Sequence, residues 1–342
     1  MSSYFLQNFG CRATQADGAA IERELVKSGF QRAVAAGDAR VVVLNTCTVT
    51  AAADHDARSA IRRIHRQNPD ARIVVTGCYA QRAPQEIAAI QGVSAVVGNS
   101  HKHLVAEVAV SGTASGSFVP LSAIGGQRSA EAATTHNREP MGDSAILVGD
   151  IFAHTQLLAA PVFDAEFEAE RTRPNLKVQD GCDNRCSFCV IPHVRGQSRS
   201  LPLGEVLREA EALVQQGYRE LVLSGINLGR WGRDLDGAQR FEQLVRALLE
   251  RTAIAKIRIS SVEPMDWSAE LIQLVATSPR IAKHAHVPLQ SGSDAVLLRM
   301  HRRYRPWHYA DRIQEIRAAM PDAAIGADVM VGFPGETDAE FD

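Results

Sequence analysis

Short apolar runs and amphipathic stretches alternate along the first hundred residues of the chain. Their periods predict strands at residues 3–9, 41–46 and 72–76, and helices at 17–28 and 51–67. The run VVVLNT at 41–46 has its apolar residues in succession, as in a strand buried on both faces. The pattern therefore predicts an open parallel α/β sheet for this part of the chain.

The same alternation returns from residue 173 onward. Strands are predicted at 176–179, 220–224, 256–260, 285–289 and 324–331, with helices at 202–216, 241–251, 269–276, 294–299 and 307–320. Strands that alternate with helices in this way run parallel, in a barrel or an open sheet. The chain ends at Asp342, where the sequence GFPGETDAEFD is expected to open another helix, so a sixth strand is missing from the prediction.

A compositional shift separates the two α/β stretches. Residues 111–143 are rich in Ala, Ser, Gly and Thr and contain few large apolar residues, which is typical of a linker. Residues 149–173 combine acidic side chains with a short apolar run and are interpreted as a tether that packs on the next domain. The predicted division is thus an N-terminal domain at 1–110, a linker and tether at 111–172, and a second domain at 173–342.

Composition limits the class of protein. A chain of 342 residues with 45% hydrophobic content can bury the cores of two or three domains. No apolar run approaches the ~18 residues of a membrane span, and MSSYFLQNFG lacks the basic start and long apolar stretch of a signal peptide. A cytoplasmic protein is therefore expected, and six cysteines in metal-like contexts fit a reducing compartment.

The net charge of −2 hides two basic clusters. One comprises Arg58, Arg62, Arg63 and Arg66; the other is RMHRRYR at 299–305, followed by Trp307 and Tyr309. Basic residues interleaved with aromatic ones can bind phosphates and stack on bases. A solvated helix face is the equally weighted alternative for each cluster.

Three cysteines, Cys182, Cys186 and Cys189, lie in the stretch NLKVQDGCDNRCSFCVIPHVRGQSRS with the spacing CxxxCxxC. Three thiolates on one short loop indicate a metal site. Zinc would need a fourth ligand, for which His193 is the only local candidate, and a disulfide framework is a weaker alternative. Three cysteines suit an iron–sulfur cubane whose fourth iron stays open.

The other three cysteines, Cys11, Cys47 and Cys78, each lie just beyond a predicted strand. Because the carboxyl ends of parallel strands form one edge of a sheet, these side chains are expected to converge there. Independent core cysteines are the alternative interpretation, but three at equivalent positions favour a second cluster.

The CxxxCxxC loop, with Phe188 before its last cysteine, resembles the signature of the radical S-adenosylmethionine (SAM) enzymes. The resemblance implies a partial (βα)6 barrel in which the open iron of a 4Fe-4S cluster is chelated by SAM. It also implies that one electron from the cluster cleaves SAM to a 5′-deoxyadenosyl radical, while the protein positions the cofactor.

The sequences QNFGCRATQAD, VVVLNTCTVTAAAD and IVVTGCYAQRAP are similar to the N-terminal domain of the methylthiotransferases, a radical SAM subfamily. Two positions depart from that pattern, with Thr14 where Asn is common and Asp17 where Glu is common. The resemblance implies a second 4Fe-4S cluster on Cys11, Cys47 and Cys78 and an electron donor such as flavodoxin or ferredoxin. Its reaction replaces an unactivated C–H by C–S–CH3 and uses two SAM molecules.

Methylthiotransferases usually carry the rest of the barrel and a TRAM-type RNA-binding module after this point. The chain is therefore expected to be a C-terminally truncated form, without that module. The resemblance also implies a set of residues that contact SAM at the carboxyl ends of the barrel strands. They are Phe188, Gly225, Asn227, Ser261, Glu263, Gln290 and Gly332, while Arg195 is assigned to either the substrate or the SAM carboxylate.

Three branches of the family differ in substrate, and VQDGCDNRCSFCVIPHVRGQSRSLP looks most like the threonylcarbamoyladenosine branch. The expected substrate is adenosine 37 in the anticodon stem-loop of tRNA, converted to its 2-methylthio derivative. Isopentenyladenosine 37 of tRNA and an aspartate of a ribosomal protein are the alternatives within the family. A non-catalytic Fe–S binding or redox-sensing protein is the alternative of another class.

Overall fold

The computed structural model describes residues 2–111, 144–153 and 173–342. The chain divides into two compact units, Met1–His154 and Thr155–Asp342. Most of the predicted linker and tether lies outside the described residues, so the three-part division stays a prediction. Within the described ranges, no helix is long and apolar enough to cross a membrane.

The first unit is built on a six-stranded sheet in which every neighbouring pair is parallel. Its strand order is β2-β1-β3-β4-β5-β6. The strands are β1 (Ser3–Asn8), β2 (Gln31–Arg32), β3 (Val41–Thr46), β4 (Arg72–Gly77), β5 (Val93–Gly98) and β6 (Ala145–Leu147). All residues of β3 are buried, as its apolar run predicts for a central strand.

Helices cover both faces of this sheet. They are α1 (Arg12–Lys27), α2 (Ala51–Gln67), α3 (Cys78–Arg82), α4 (Pro84–Ala88) and α5 (Val105–Ser111). One core forms beneath α2, α3 and α4, and the other beneath α1 and α5. The open parallel α/β sheet predicted from the sequence is therefore present, with helices on both sides.

Helix α1 begins at Arg12, ahead of the predicted residue 17. Its first turns are buried through Ala13, Ala16 and Gly18, small residues that give little hydrophobic signal. Gly18 is packed closely, since a Cβ there would lie 2.0 Å from Asn8 Oδ1. The early start makes Cys11 the residue that precedes the helix.

Strand β6 lies within residues 111–172, which the sequence predicts as linker and tether. It pairs in parallel with β5, and Ser144 Oγ donates to Val93 O at 2.7 Å. Gln81 Nε2 donates to Gly149 O at 3.0 Å, which ties the residues after β6 to the same unit. Residues 144–149 thus extend the N-terminal sheet.

The second unit contains the five predicted strands, four of them shorter than predicted. They are β7 (Asn175–Lys177), β10 (Glu220–Ser224) and β11 (Lys256–Ile259), in the order β11-β10-β7, and the pair β12 (His284–His286) and β13 (Ala324–Gly326). All these pairs are parallel. A parallel bridge from Ile257 to Ile281 and a hydrogen bond from Val262 N to His286 O join the two groups. The strands therefore follow one another as in part of a barrel.

Helices cover these strands, and a small antiparallel pair, β8 (Gln179–Asp180) with β9 (Arg199–Ser200), frames the three-cysteine loop. The helices are α6 (Ile191–Arg195), α7 (Leu203–Gln215), α8 (Phe241–Arg251), α9 (Ala269–Thr277), α10 (Asp294–Arg299), α11 (Pro306–Ala319) and α12 (Asp338–Phe341). Their apolar faces bury Trp231, Phe241 and Trp267 against the strands.

Candidate metal and cofactor sites

The three N-terminal cysteines lie at the carboxyl ends of neighbouring parallel strands. Cys11 precedes α1, Cys47 directly follows β3, and Cys78 begins α3 after β4. Cys47 and Cys78 are buried, whereas Cys11 is exposed. Burial raises the pKa of Cys47, and negative charge on Cys78 and Cys11 raises this pKa further. The three cysteines therefore lie at one edge of the sheet, where the strand pattern predicts them. A shared cluster on their thiols stays a prediction.

Two glycines with left-handed backbone make this approach possible. Gly10 has φ +96°, and a Cβ there would lie 2.6 Å from Cys47 Cβ. Gly77 has φ +100°, and a Cβ there would lie 2.3 Å from Thr46 O. Only glycine combines that backbone with such close contact.

Two polar side chains lie within hydrogen-bond distance of the N-terminal cysteine sulfurs. Thr14 Oγ1 lies 3.6 Å from Cys11 Sγ, and Asn99 Nδ2 lies 3.5 Å from Cys78 Sγ. Asp17 forms a buried ion pair of 2.7 Å with Lys102. The two departures from the family pattern, Thr14 and Asp17, therefore both have structural partners. Asn99 and Lys102 were not predicted, because both follow β5, which the sequence pattern did not reveal.

We expect Gly10→Ala to disrupt the N-terminal cysteine site. The new methyl group would displace Cys47, while Gly29→Ala is a matched control because Gly29 has φ +85° but open space around it. Both changes carry the left-handed backbone penalty of ~1–2 kcal/mol. Iron analysis after anaerobic reconstitution should show that Gly10→Ala loses the iron of one cluster and Gly29→Ala loses none. Equal iron in the two variants would contradict the role assigned to Gly10.

The three-cysteine loop is held by the side chain of Gln179 at its base. Gln179 Nε2 donates to Asp180 O, Gly181 O and Ser198 Oγ at 2.8–2.9 Å. Gln179 Oε1 accepts from Asn227 N at 2.7 Å. Gln179 thus ties the start of the loop to the residues that follow β10.

Gly225 is part of the same packing. A Cβ at Gly225 would lie 2.9 Å from Gln179 Oε1. The glycine predicted to contact SAM therefore makes room for Gln179. Its contact with SAM stays a prediction.

Cys182, Cys186 and Cys189 are partly exposed along this loop. Burial raises the pKa of Cys182, whereas hydrogen bonds from Asn184 N and Asn227 Nδ2 lower it. Burial also raises the pKa of Cys186, and the Arg302 cation lowers it. Positive charge and hydrogen-bond donors are therefore provided where thiolates would form.

The positions of the cysteine and histidine side chains bear on the choice between a disulfide framework, a zinc site and an iron–sulfur cluster. All six cysteines lie in the described part of the chain and are free thiols, which argues against a disulfide framework. Among the described residues, no three His, Cys, Asp or Glu side chains converge as a single metal ion requires, and His193 is exposed. The three-cysteine loop therefore does not fit a zinc site. An iron–sulfur cluster fits better, since each thiolate binds a different iron.

Among the predicted SAM contacts, Asn227 has a buried side chain next to a cluster-ligand cysteine and an open acceptor atom. Its side chain is buried, and Nδ2 lies 3.6 Å from Cys182 Sγ. Asn227 Oδ1 is buried without a hydrogen-bond partner among the described residues. An acceptor left open beside a cluster ligand fits a bound group that carries N–H or O–H donors.

The other predicted contacts lie around the same end of the barrel strands. Ser261 Oγ lies 2.5 Å from His286 Nδ1, and Glu263 pairs with Arg302 at 2.7 Å. Gln290 has a left-handed φ of +68°. The structure thus adds His286 and Arg302, which the sequence did not single out as site residues. The signal for His286 was its place at the end of β12, four residues before Gln290.

Phe188 and Gly332 come together through Phe333. The Phe188 and Phe333 rings meet edge to face with centroids 6.3 Å apart. Gly332, next in sequence to Phe333, is exposed with φ +72°. The turn at Gly332 therefore lies beside the three-cysteine loop, although its contact with SAM stays a prediction.

Arg195 has a different position from the one the sequence predicted. It is 2% exposed, and its Nη1 donates to both Asp180 oxygens at 2.9 and 3.0 Å. Lys177 Nζ donates to Asp180 Oδ2 at 3.0 Å. The expectation that Arg195 contacts substrate or the SAM carboxylate is therefore corrected, because its guanidinium is used inside the unit.

Most arginines of the basic cluster at 299–305 form ion pairs within the second unit. Arg299 pairs with Glu340, Arg302 with Glu263, and Arg305 with Asp294. These ion pairs correct the interpretation of the whole run as a phosphate-binding surface.

The first basic cluster remains at the surface. Arg58, Arg62, His65 and Arg66 line a cleft of about 600 Å³ that also includes Glu86. Arg58 is paired with Glu86 at 3.0 Å, while Arg62 and Arg66 are exposed. The cleft is therefore a basic surface of the first unit.

Comparison with known proteins identifies both units. The family model of the radical SAM superfamily matches residues 176–342, and that of uncharacterized protein family UPF0004 matches residues 3–98. Threonylcarbamoyladenosine tRNA methylthiotransferase MtaB of Bacillus subtilis is 38% identical, covering 100% of this chain and 69% of its own length. MtaB of Aquifex aeolicus is 34% identical, covering 98% of this chain and 74% of its own length.

A relative with another name is nearly as similar. The tRNA-2-methylthio-N(6)-dimethylallyladenosine synthase of Parafrankia sp. is 33% identical over 99% of this chain and 63% of its own length. Among solved structures, the radical SAM methyltransferase TsrM of Kitasatospora setae aligns with a TM-score of 0.62 at 16% identity, over 99% of this chain and 69% of that chain. At this identity the likeness shows the fold alone.

The parallel strands of the second unit and its three-cysteine loop define a radical SAM protein. The chain belongs to the radical SAM methylthiotransferase family, as the 38% identity over its whole length shows. The resemblance found in the sequence is thus confirmed. The cofactors of this enzyme family are 4Fe-4S clusters and SAM, and the thiols and the open acceptor of Asn227 fit them.

Proposed function

We propose that this protein converts N6-threonylcarbamoyladenosine 37 of tRNA to its 2-methylthio derivative. The observation that carries the proposal is the presence of two cysteine triplets in one chain. One follows parallel strands of the first unit, and the other lies in the loop between β8 and β9. The names of the relatives from Bacillus subtilis and Aquifex aeolicus support the choice of substrate. A hydrogen at C2 of adenine is too inert for acid–base chemistry at neutral pH, which supports a radical route.

Each cysteine triplet has its own role in this proposal. Cys182, Cys186 and Cys189 would hold a 4Fe-4S cluster, which would supply the electron for reductive cleavage of SAM. Cys11, Cys47 and Cys78 hold a second cluster for the sulfur that is transferred. Gly10, Gly77 and Asn99 position the second triplet, and Gln179 and Asn227 position the first.

Three of the proposed SAM contacts would bind SAM through polar side chains. Asn227 offers the open Oδ1 acceptor to the amino group of SAM. Ser261 and Glu263 follow β11, where hydroxyl and carboxylate oxygens suit ribose hydroxyls. The other proposed SAM contacts are Phe188, Gln290 and Gly332. An ideal Cβ at Gly332 would have no other atom within 4 Å.

The partners of the reaction follow from its chemistry. The substrate is the anticodon stem-loop of tRNA, and the exposed Arg62 and Arg66 offer charge for its phosphates. The reaction consumes electrons, which a flavodoxin or ferredoxin type donor supplies. A cytoplasmic location agrees with a tRNA substrate.

Nucleoside mass spectrometry of bulk tRNA tests the proposal in cells. In cells without the gene, 2-methylthio-threonylcarbamoyladenosine is expected to disappear, and the wild-type gene is expected to restore it. Genes that carry Cys182→Ala or Cys47→Ala should fail to restore it, because either change removes a cluster ligand. Unchanged 2-methylthio-threonylcarbamoyladenosine with loss of the isopentenyl derivative would instead indicate the dimethylallyladenosine branch.

A further inference from the structure

The end of helix α10 is hydrogen-bonded to the middle of the three-cysteine loop. Ser187 donates from its backbone nitrogen to Met300 O at 3.3 Å and from Oγ to Arg299 O at 2.8 Å. His301 Nδ1 lies 3.2 Å from Arg185 O. The loop around its second cysteine is therefore fixed to residues distant in sequence.

A left-handed turn directs the next side chain toward that loop. His301 has φ +58°, and its N–H donates to Leu298 O at 3.0 Å. Arg302 N donates to Leu297 O at 2.9 Å, which completes a Schellman-type helix end. Glycine is the usual residue at this left-handed position, so a histidine there carries backbone strain.

Arg302 is enclosed by groups of the candidate site. Its side chain is 8% exposed, and Nη1 donates to Glu263 Oε1 at 2.7 Å. The guanidinium carbon lies 5.8 Å from the centroid of the Phe188 ring and 5.8 Å from that of the Tyr304 ring. Tyr304 is itself buried and donates to Leu289 O at 2.8 Å. The cation is thus held in one place by stacking and by an ion pair.

The Arg302 cation lies beside the three-cysteine loop and contributes to the charge around it. Phe188, whose ring centroid lies 5.8 Å from the Arg302 guanidinium carbon, stands between Cys186 and Cys189 in the loop. Loss of Arg302 would leave the Glu263 carboxylate without this ion pair on the same side of the loop. The net charge around an iron–sulfur cluster is one of the factors that set its reduction potential.

We propose that Arg302 is a positioning residue of the three-cysteine site that holds Phe188 in place and, as a buried cation, raises the reduction potential of the cluster bound there. The inference rests on the proposed role of Cys182, Cys186 and Cys189. Reduction adds an electron, and a fixed positive charge nearby favours the state that carries the extra negative charge. Arg302 acts on the cluster and on Phe188, and it makes no contact with the transferred atoms in this proposal.

A redox titration monitored by electron paramagnetic resonance tests the inference on the full chain, reconstituted anaerobically. The signal followed is the one that changes when SAM is added, because SAM binds the cluster with the open iron. In Arg302→Gln we expect the reduced-to-oxidised ratio at a fixed potential to fall about tenfold, which is ~59 mV for a one-electron couple. Arg302→Lys keeps the charge, so its ratio should stay within about threefold of the wild-type ratio.

Arg303→Gln is the matched control, since Arg303 is exposed and adjacent in sequence. It should leave the ratio unchanged. Equal ratios in Arg302→Gln and Arg303→Gln, or an equal fall in Arg302→Lys and Arg302→Gln, would overturn the electrostatic role. If Arg302→Gln fails to fold, the Arg302→Lys ratio still decides, because a tenfold fall there overturns the inference. A wild-type protein with no SAM-responsive signal would overturn the assignment of the cluster itself, and the inference with it.

Discussion

A Cys182→Ala protein is expected to lose SAM cleavage by more than about a hundredfold, while it keeps the iron bound by its N-terminal cysteines. Cys182 is anchored at the base of the three-cysteine loop, where its backbone nitrogen donates to Gly196 O at 3.0 Å. Removal of this thiol leaves the loop with two cysteine ligands. 5′-Deoxyadenosine production and iron content, measured on the same sample, provide the test.

Cys47→Ala is the reciprocal control and should separate the two chemistries. Cys47 belongs to the sheet of the first unit, so its loss leaves the three-cysteine loop intact. 5′-Deoxyadenosine should still form from SAM, whereas the methylthio product should fall by more than about a hundredfold. If both variants lost SAM cleavage equally, the assignment of separate roles to the two triplets would be wrong.

Asp180→Asn is expected to destabilise the second unit by about 3–5 kcal/mol in its free energy of unfolding. Asp180 is buried, and it accepts hydrogen bonds from Arg195, Lys177 and its neighbour Gly181 N. Burial alone would raise the pKa of Asp180, but the charges of Arg195 and Lys177 together hold it well below its usual range. The carboxylate is therefore ionised in the fold, and its replacement removes the charge that both cations share.

Denaturant unfolding monitored by circular dichroism measures this loss. Asp322→Asn is a suitable control, because Asp322 is exposed at the surface of the same unit and its change should cost less than about 0.5 kcal/mol. Equal midpoints for the two variants would show that the buried ion pairs at Asp180 contribute little to stability.

The cysteine sites could be predicted from the sequence because they depend on strand ends. The apolar run before Cys47 marks a buried strand, and parallel neighbours must end at the same edge. The same argument places Cys11 and Cys78 after the neighbouring strands β1 and β4, and the structure has them there. Their joint binding of a cluster stays a prediction. Convergence of side chains at a sheet edge therefore follows from local pattern and topology alone.

The roles of the charged residues could not be predicted in this way. Arg195 follows the three-cysteine loop, which suggested contact with substrate or SAM, and Arg302 lies in a basic stretch, which suggested contact with phosphates. Their partners, Asp180 and Glu263, come from other elements, and only the fold brings them together. A charge run in a sequence gives no information on partners that are distant along the chain.

Short or small-residue elements were missed for another reason. Strand β6 has only half-buried residues, and the first turns of α1 pack through alanine and glycine. Hydrophobic periodicity is weak in such segments. They form because neighbouring elements offer backbone partners or close packing, as β5 does for β6.

The central claim is that this protein methylthiolates threonylcarbamoyladenosine in tRNA. The most direct measurement is an anaerobic assay of the purified, reconstituted protein with SAM and a reductant, using tRNA that carries either threonylcarbamoyladenosine or isopentenyladenosine at position 37. We expect 5′-deoxyadenosine and the 2-methylthio nucleoside from the first tRNA, and little methylthio product from the second. Methylthio product from the isopentenyladenosine tRNA alone, or SAM cleavage with no methylthio product from either, would contradict it.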